Sequence, residues 1–180
     1  QVVDRYLATR TGVRFCLTNP RPQDVKVLDI AHALGRIGRL GGHTSRPYSV
    51  DEHSVFVSKL VEPQHRVAAL LHDAAEAYLG DVIGPLKAML PEFGAIERRV
   101  HLAICERFGV SPEIPEEVHV ADQVGLATEA KQLVAIPWEC VAKPVDIALT
   151  DMRWSEARDY WLRSLAACMP KGANWFDERK

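Results

Sequence analysis

Four residues of this 180-residue chain have the types and placing of metal ligands: His53, His72, Asp73 and Asp122. His53 has Val50 and Val57 at i−3 and i+4, and Asp122 has Val118 and Leu126 at i−4 and i+4. His72 follows Leu70-Leu71 directly, with Ala68 and Ala69 one turn back, and Asp73 adjoins it. On a helix such spacings share one face, so these polar groups lie on apolar stripes. A buried carboxylate is costly unless it is paired or bound to a metal. Two histidines and two aspartates on inward faces of different helices therefore share one explanation, convergence on a divalent cation. Neighbours on a helix are rotated by about 100°. His72 and Asp73 can both serve one ion only where it sits at a junction of helices. Mixed imidazole and carboxylate ligands suit Co, Mn, Zn, Fe, Ni or Mg, and ligand type does not choose among them. Thiolates are absent from the set, which argues against a closed structural zinc site. Four protein ligands leave two octahedral positions for water and substrate.

The elements that must position these groups read as helices. Alternating apolar residues after Gly12 predict a short strand or hairpin, ended by Pro20 and Pro22. Helical periodicity then predicts helices over 27–37, 51–61, 64–79, 86–90, 96–108, 115–133 and 154–167. Residues 136–153, with Pro137 and Pro144, read as irregular. In the last helix Trp154, Trp161, Leu162 and Leu165 share a stripe and read as packing residues. The expected architecture is all-α with a small N-terminal β piece. It forms one domain over 1–180, with a core of about 24–135 and a C-terminal helix of about 154–168 packing on it. That helix could also pack on a second copy, as a homodimer.

Composition excludes several functions. Hydrophobic residues make up 47% and charged residues 26%, as in a soluble globular domain. A net charge of −2 lacks the basic footprint of a nucleic-acid-coating protein, while leaving room for one local anion pocket. Aromatics at 7% are too few for a broad single-strand stacking platform. No apolar run approaches the roughly 20 residues of a membrane span. The four cysteines form no C-x-x-C pair and read as reduced thiols in a cytoplasmic protein.

The pattern H…HD…D resembles the signature of the HD-domain metal-dependent phosphohydrolases. Other stretches extend the likeness: Arg39-Leu40-Gly41-Gly42-His43, the run from Tyr48 to Ser54, His72-Asp73-Ala74-Ala75-Glu76 through Gly80-Asp81, and Pro85-Leu86-Lys87. Together they are similar to small bacterial and prophage-type 5′-deoxynucleotidases, over roughly residues 10–135. The resemblance implies one divalent ion held by His53, His72, Asp73 and Asp122. It implies that Glu76, one turn after His72, orients or deprotonates the attacking water, and that Asp81 lies at the sugar-phosphate end of the pocket. Arg39 matches an arginine that meets the substrate phosphate, and a guanidinium can grip phosphate oxygens bidentately. Lys87 could add a point charge, and His43 lies with Arg46 in the loop over the site. Leu40 stands where some of these enzymes carry a tryptophan that excludes a ribose 2′-hydroxyl, so sugar preference stays open.

The expected activity is metal-dependent removal of phosphate from a small nucleotide, a (deoxy)nucleoside 5′-monophosphate. Release of triphosphate from a deoxynucleoside triphosphate uses the same chemistry. A non-catalytic module with a structural metal is the reading from another class, since fold resemblance alone does not guarantee activity.

Overall fold

The computed structural model describes residues 6–135, 137–171 and 175–176. Strands β1 (Tyr6–Ala8) and β2 (Arg14–Cys16) pair antiparallel with Leu7 opposite Phe15, giving the expected hairpin. Its turn is tied to the first helix, α1 (Val27–Leu34). The backbone N–H and hydroxyl of Thr11 both donate to the Asp29 carboxylate at 2.7 Å. Phe15 is fully enclosed and stacks on Tyr78, with ring centroids 3.8 Å apart.

The centre of the molecule is α2 (Val50–Lys59), in which every residue from 50 to 58 is buried. A helix enclosed on all sides needs its polar ends satisfied internally. Ser49 and Glu52 do this with a reciprocal capping box: Ser49 Oγ accepts from Glu52 N, and Glu52 Oε2 accepts from Ser49 N. Thr150 donates to the other Glu52 oxygen at 2.8 Å, anchoring the irregular segment after 136. The chain upstream of α2 is pinched shut by a bridge between Gly38 and Ser49 and by Arg39 N donating to Tyr48 O.

The helix predicted over 64–79 is broken in the structure. It divides into α3 (Arg66–Leu71), a turn over 72–75, and α4 (Glu76–Leu79). Ala74, Glu76, Ala77 and Tyr78 donate three residues back, to Leu71, Asp73, Ala74 and Ala75, rather than four. This tighter winding changes the angle between consecutive side chains. Next come α5 (Gly84–Lys87), α6 (Pro91–Phe108), α7 (Glu116–Leu133) and α8 (Trp154–Cys168). α5 starts and ends earlier than its periodicity predicts, with Pro85 in its first turn. α6 begins at Pro91, five residues before its first periodic position at Ile96, because a proline in the first turn has no N–H to leave unsatisfied.

α2 packs against α3, α7 and α8. One apolar cluster runs from Phe15 through α1, α3 and α6 to Trp161 and Leu165 of α8. Trp154 departs from the expected inner stripe. It lies partly exposed at the helix start, with the Arg36 guanidinium 4.0 Å from its ring centre. No helix among the described residues is long and apolar enough to cross a membrane.

Trp161 joins α8 to the site-bearing α3: it is fully buried and its indole N–H donates to Leu70 O at 3.0 Å. Trp161→Phe is expected to lower unfolding stability by about 1–2 kcal/mol through the lost hydrogen bond. Trp161→Ala is expected to lower it by about 3–5 kcal/mol through the cavity left behind. Urea denaturation checks both, and unchanged stability in Trp161→Phe would contradict the hydrogen bond's role.

Candidate metal centre

Three elements bring the expected ligands together. α2 supplies His53, the tight turn after α3 supplies His72 and Asp73, and α7 supplies Asp122. One ligand atom each from His53, His72 and Asp122 lie within 4.8 Å of one another, a group able to hold a divalent cation. The ring centroids of the two histidines are 5.3 Å apart. His53 Nε2 lies 3.1 Å from Asp122 Oδ1 and 3.6 Å from Asp73 Oδ2. His72 Nε2 lies 3.2 Å from Asp73 Oδ2 and 3.9 Å from Asp122 Oδ1. Asp73 thus stands beside both imidazole nitrogens, although it is its sequence neighbour His72 that it approaches most closely. These consecutive side chains reach one point because their turn lies where α2 and α7 meet it.

The donor set fits a cation on a further ground. His53 Nδ1 is 2.5 Å from Glu129 Oε1, and His72 Nδ1 is 2.7 Å from Ala69 O. Each contact calls for an Nδ1–H donor, which leaves Nε2 as the nitrogen a cation would take once its proton is released. Both Nε2 atoms are buried, and neither makes an aligned hydrogen bond. Buried polar atoms are nearly always satisfied, so a pair aimed at one another and at two carboxylates is a point where a cation could sit.

Glu129 was not among the residues expected from sequence. It is fully buried on α7, where it accepts from His53 and, at 3.3–3.4 Å, from Nη2 and Nε of Arg39. A signal for it existed. Glu129 falls four residues after Gly125 and four before Leu133, on the same inward stripe as both. Gly125 serves the same contact, since a Cβ there would lie 3.3 Å from His53 Cε1 and from Val57 Cγ2. A bare backbone lets α7 press against the imidazole.

A cavity of about 570 Å³ reaches this group at its carboxylates, Asp73 and Asp122. Arg39, His43, Asp73, Glu76, Asp81, Lys87 and Asp122 all line it, so every expected substrate-side residue is present. Their partners differ from simple expectation. Arg39 is buried among carboxylates, with Nη1 3.6 Å from Asp73 and 4.0 Å from Asp81. Lys87 is held at 2.8 Å by Glu97 of α6 and sits 3.8 Å from Glu76. His43 is exposed at the end of the loop. His101 and His119 border a separate opening behind Asp73 and Asp122, and His101 is engaged by Pro112 O at 3.0 Å.

Electrostatics follow from burial and pairing. Desolvation alone would lower His53, and Arg39 acts the same way. Glu129 and Asp122 overcome both and raise it. Desolvation likewise opposes the charge on His72, but Asp73 and Asp122 take it up to about 10. Burial would raise Asp73 and Asp122, and the facing imidazoles instead hold both well below the usual carboxylate range. Glu76 goes the other way: desolvation, then Asp73 and Asp81, push it up to about 9 against the pull of Arg39 and Lys87.

No family model matches the chain. It is 38% identical over 128 residues to the uncharacterized protein YfdR of Escherichia coli K12, an alignment covering 71% of this chain and 72% of that protein. An uncharacterized protein of Rhodobacter capsulatus is 36% identical over 137 residues, covering 68% of this chain and 70% of that one. The chain belongs to the family of YfdR.

Two outcomes are expected. Glu129→Gln keeps an acceptor for His53 Nδ1–H but removes the charge. It should weaken Mn²⁺ or Zn²⁺ affinity about 10–100-fold in a chelator competition, the usual loss when a ligand's supporting carboxylate is removed. Unchanged affinity would contradict the role given to Glu129. Before a cation binds, the raised imidazoles stabilise the fold fully below pH 6.5, and that contribution fades as pH climbs through their folded values, about 10 for His72. A cation must displace these protons, so affinity should rise with pH through this window. Calorimetry at pH 7 in buffers of different ionisation heat should read about one to two protons released. Zero protons would contradict the assignment.

Proposed function

We propose that this protein is a metal-dependent phosphohydrolase of the HD-domain type, removing phosphate from a small nucleotide monoester. One observation carries the reading: the two aspartates that stand at the imidazoles, Asp73 and Asp122, line the same cavity as an acid with a raised pKa, Glu76, and a buried guanidinium, Arg39. A structural metal would need neither. His53, His72 and Asp122 would hold the ion, with Asp73 beside them. A divalent cation held there would polarise a phosphate oxygen and make a water acidic enough to attack.

The chain's own groups supply the rest. Arg39 turns one edge to Glu129 and leaves Nη1 facing the cavity, where it can meet phosphate oxygens. A pre-positioned guanidinium of this kind stabilises the charge that grows on the phosphoryl group. Glu76 is the acid–base group. As carboxylate it can accept a proton from water, and as carboxylic acid it can donate one to a departing oxygen. Lys87, steadied by Glu97, keeps a positive charge 3.8 Å from Glu76 and favours its ionised form. Asp81 faces Arg39 across the cavity and can orient the sugar end of a substrate.

The test is phosphate release from nucleoside 5′-mono-, di- and triphosphates with Mn²⁺, Co²⁺, Zn²⁺ and Mg²⁺ in turn. Cation-dependent release from a monophosphate is expected, reduced at least about a hundredfold in Asp73→Ala. No release with any cation, or full activity in Asp73→Ala, would sink the reading.

A further inference from the structure

Phosphate chemistry uses the charged part of the cavity and leaves its apolar part unexplained. Leu40, Ile83, Leu126, Val134 and Trp138 complete the lining. Ile83 is 43% exposed and Trp138 46% exposed. A volume of about 570 Å³ is within the range of small-molecule sites and leaves room for more than a phosphate.

Trp138 is the outlier among the four tryptophans of the chain. Trp161 is enclosed and hydrogen-bonded to Leu70, Trp154 lies under Arg36, and Trp175 packs near Phe108 and Phe176. Among the described residues, the Trp138 ring has no aromatic or cationic neighbour and its indole N–H no acceptor. Yet its segment is fastened on both sides. Before it, the last α7 carbonyl, of Leu133, accepts from Ser45 N at 2.7 Å. After it, Val145 N donates to Thr128 Oγ1 and Leu149 N to Gln132 Oε1, each at 3.1 Å. A large apolar ring is thus held at the cavity, about half exposed and, among the described residues, without an aromatic or cationic partner.

Leu40 is placed with comparable insistence. Its φ of 55° lies in the left-handed region, which side chains other than glycine adopt at a cost. Gly41 follows with φ 63°, and a Cβ on it would stand 3.4 Å from Ile83 Cγ2. The turn therefore seats Leu40 beside the loop that carries Ile83.

We propose that Leu40, Ile83 and Trp138 form a subsite for a flat aromatic ring on the leaving group. The cavity then prefers a nucleoside 5′-monophosphate to an aliphatic sugar phosphate. The proposal rests on the phosphohydrolase reading. Stacking on an aromatic side chain tolerates any base, because every base has a π-face. The subsite accordingly favours nucleotides as a class without choosing among bases.

The experiment is calorimetric binding to Mn²⁺-loaded Glu76→Gln protein, with thymidine 5′-monophosphate and 2-deoxyribose 5-phosphate as the two ligands. The nucleotide should bind at least about tenfold more tightly. Adding Trp138→Ala should remove most of that advantage, and Trp138→Phe should keep it within about threefold. Sugar phosphate affinity should stay constant across all three proteins, which shows that the site is still folded. Equal affinity for the two ligands, or an equal loss for both in Trp138→Ala, overturns the subsite. Phosphate release by the wild-type protein separates the two ideas. If it persists while the ligands bind equally, only the subsite fails. If neither ligand binds and no phosphate is released, the phosphohydrolase reading fails and the subsite with it.

Discussion

The contact on which the site depends is the enclosed Glu129 carboxylate, shared between His53 Nδ1 and the Arg39 guanidinium. A charge at such depth is tolerated only when its partners satisfy it. Desolvation opposes it, and His53 and Arg39 together hold it below the usual carboxylate range. In return Glu129 fixes two things at once. It orients the His53 ring, so that Nε2 faces Asp122 and His72. It also holds one edge of Arg39, so that the other edge faces the cavity. The residues joined in this way lie 76 and 90 positions from Glu129 in sequence. The packing of α7 on α2, with Gly125 allowing close approach, makes the meeting possible.

The balance of charge around the cavity follows. Among the described residues, Asp73, Glu76, Asp81, Asp122 and Glu129 face two permanent cations, Arg39 and Lys87. Protons on the imidazoles and on Glu76 make up part of the shortfall, which is why those groups rise while Asp73 and Asp122 fall. A divalent cation would replace those protons with a fixed charge. A cation could offset this surplus of acid, and a protein with a net charge of −2 need not show it elsewhere on its surface.

Much of this was legible because it is local. The hairpin, α2, α7 and α8 follow from periodicity and turn residues, and His53, His72 and Asp122 stood out as polar groups on apolar stripes. The break at 72–75 was not legible, since the Leu and Ala pattern continues across it and no Pro or Gly marks it. The switch to three-residue hydrogen bonding answers to tertiary packing rather than to propensity. Glu129 reads as an ordinary helical glutamate until its neighbours Gly125 and Leu133 are seen to face inward. Trp138 lies in a stretch without periodicity, and only the fastening of that stretch to α7 places it at the cavity. The Lys87–Glu97 pair depends on how α5 meets α6.

The central claim is that the imidazole–carboxylate group binds a cation. Anomalous diffraction from a crystal grown with Mn²⁺ or Zn²⁺ tests it most directly. The account predicts a peak coordinated by Nε2 of His53, Nε2 of His72 and an oxygen of Asp122, with Glu129 still bonded to His53 Nδ1. A saturated crystal with no peak there, and with His53 and Asp122 still in direct contact, would contradict it.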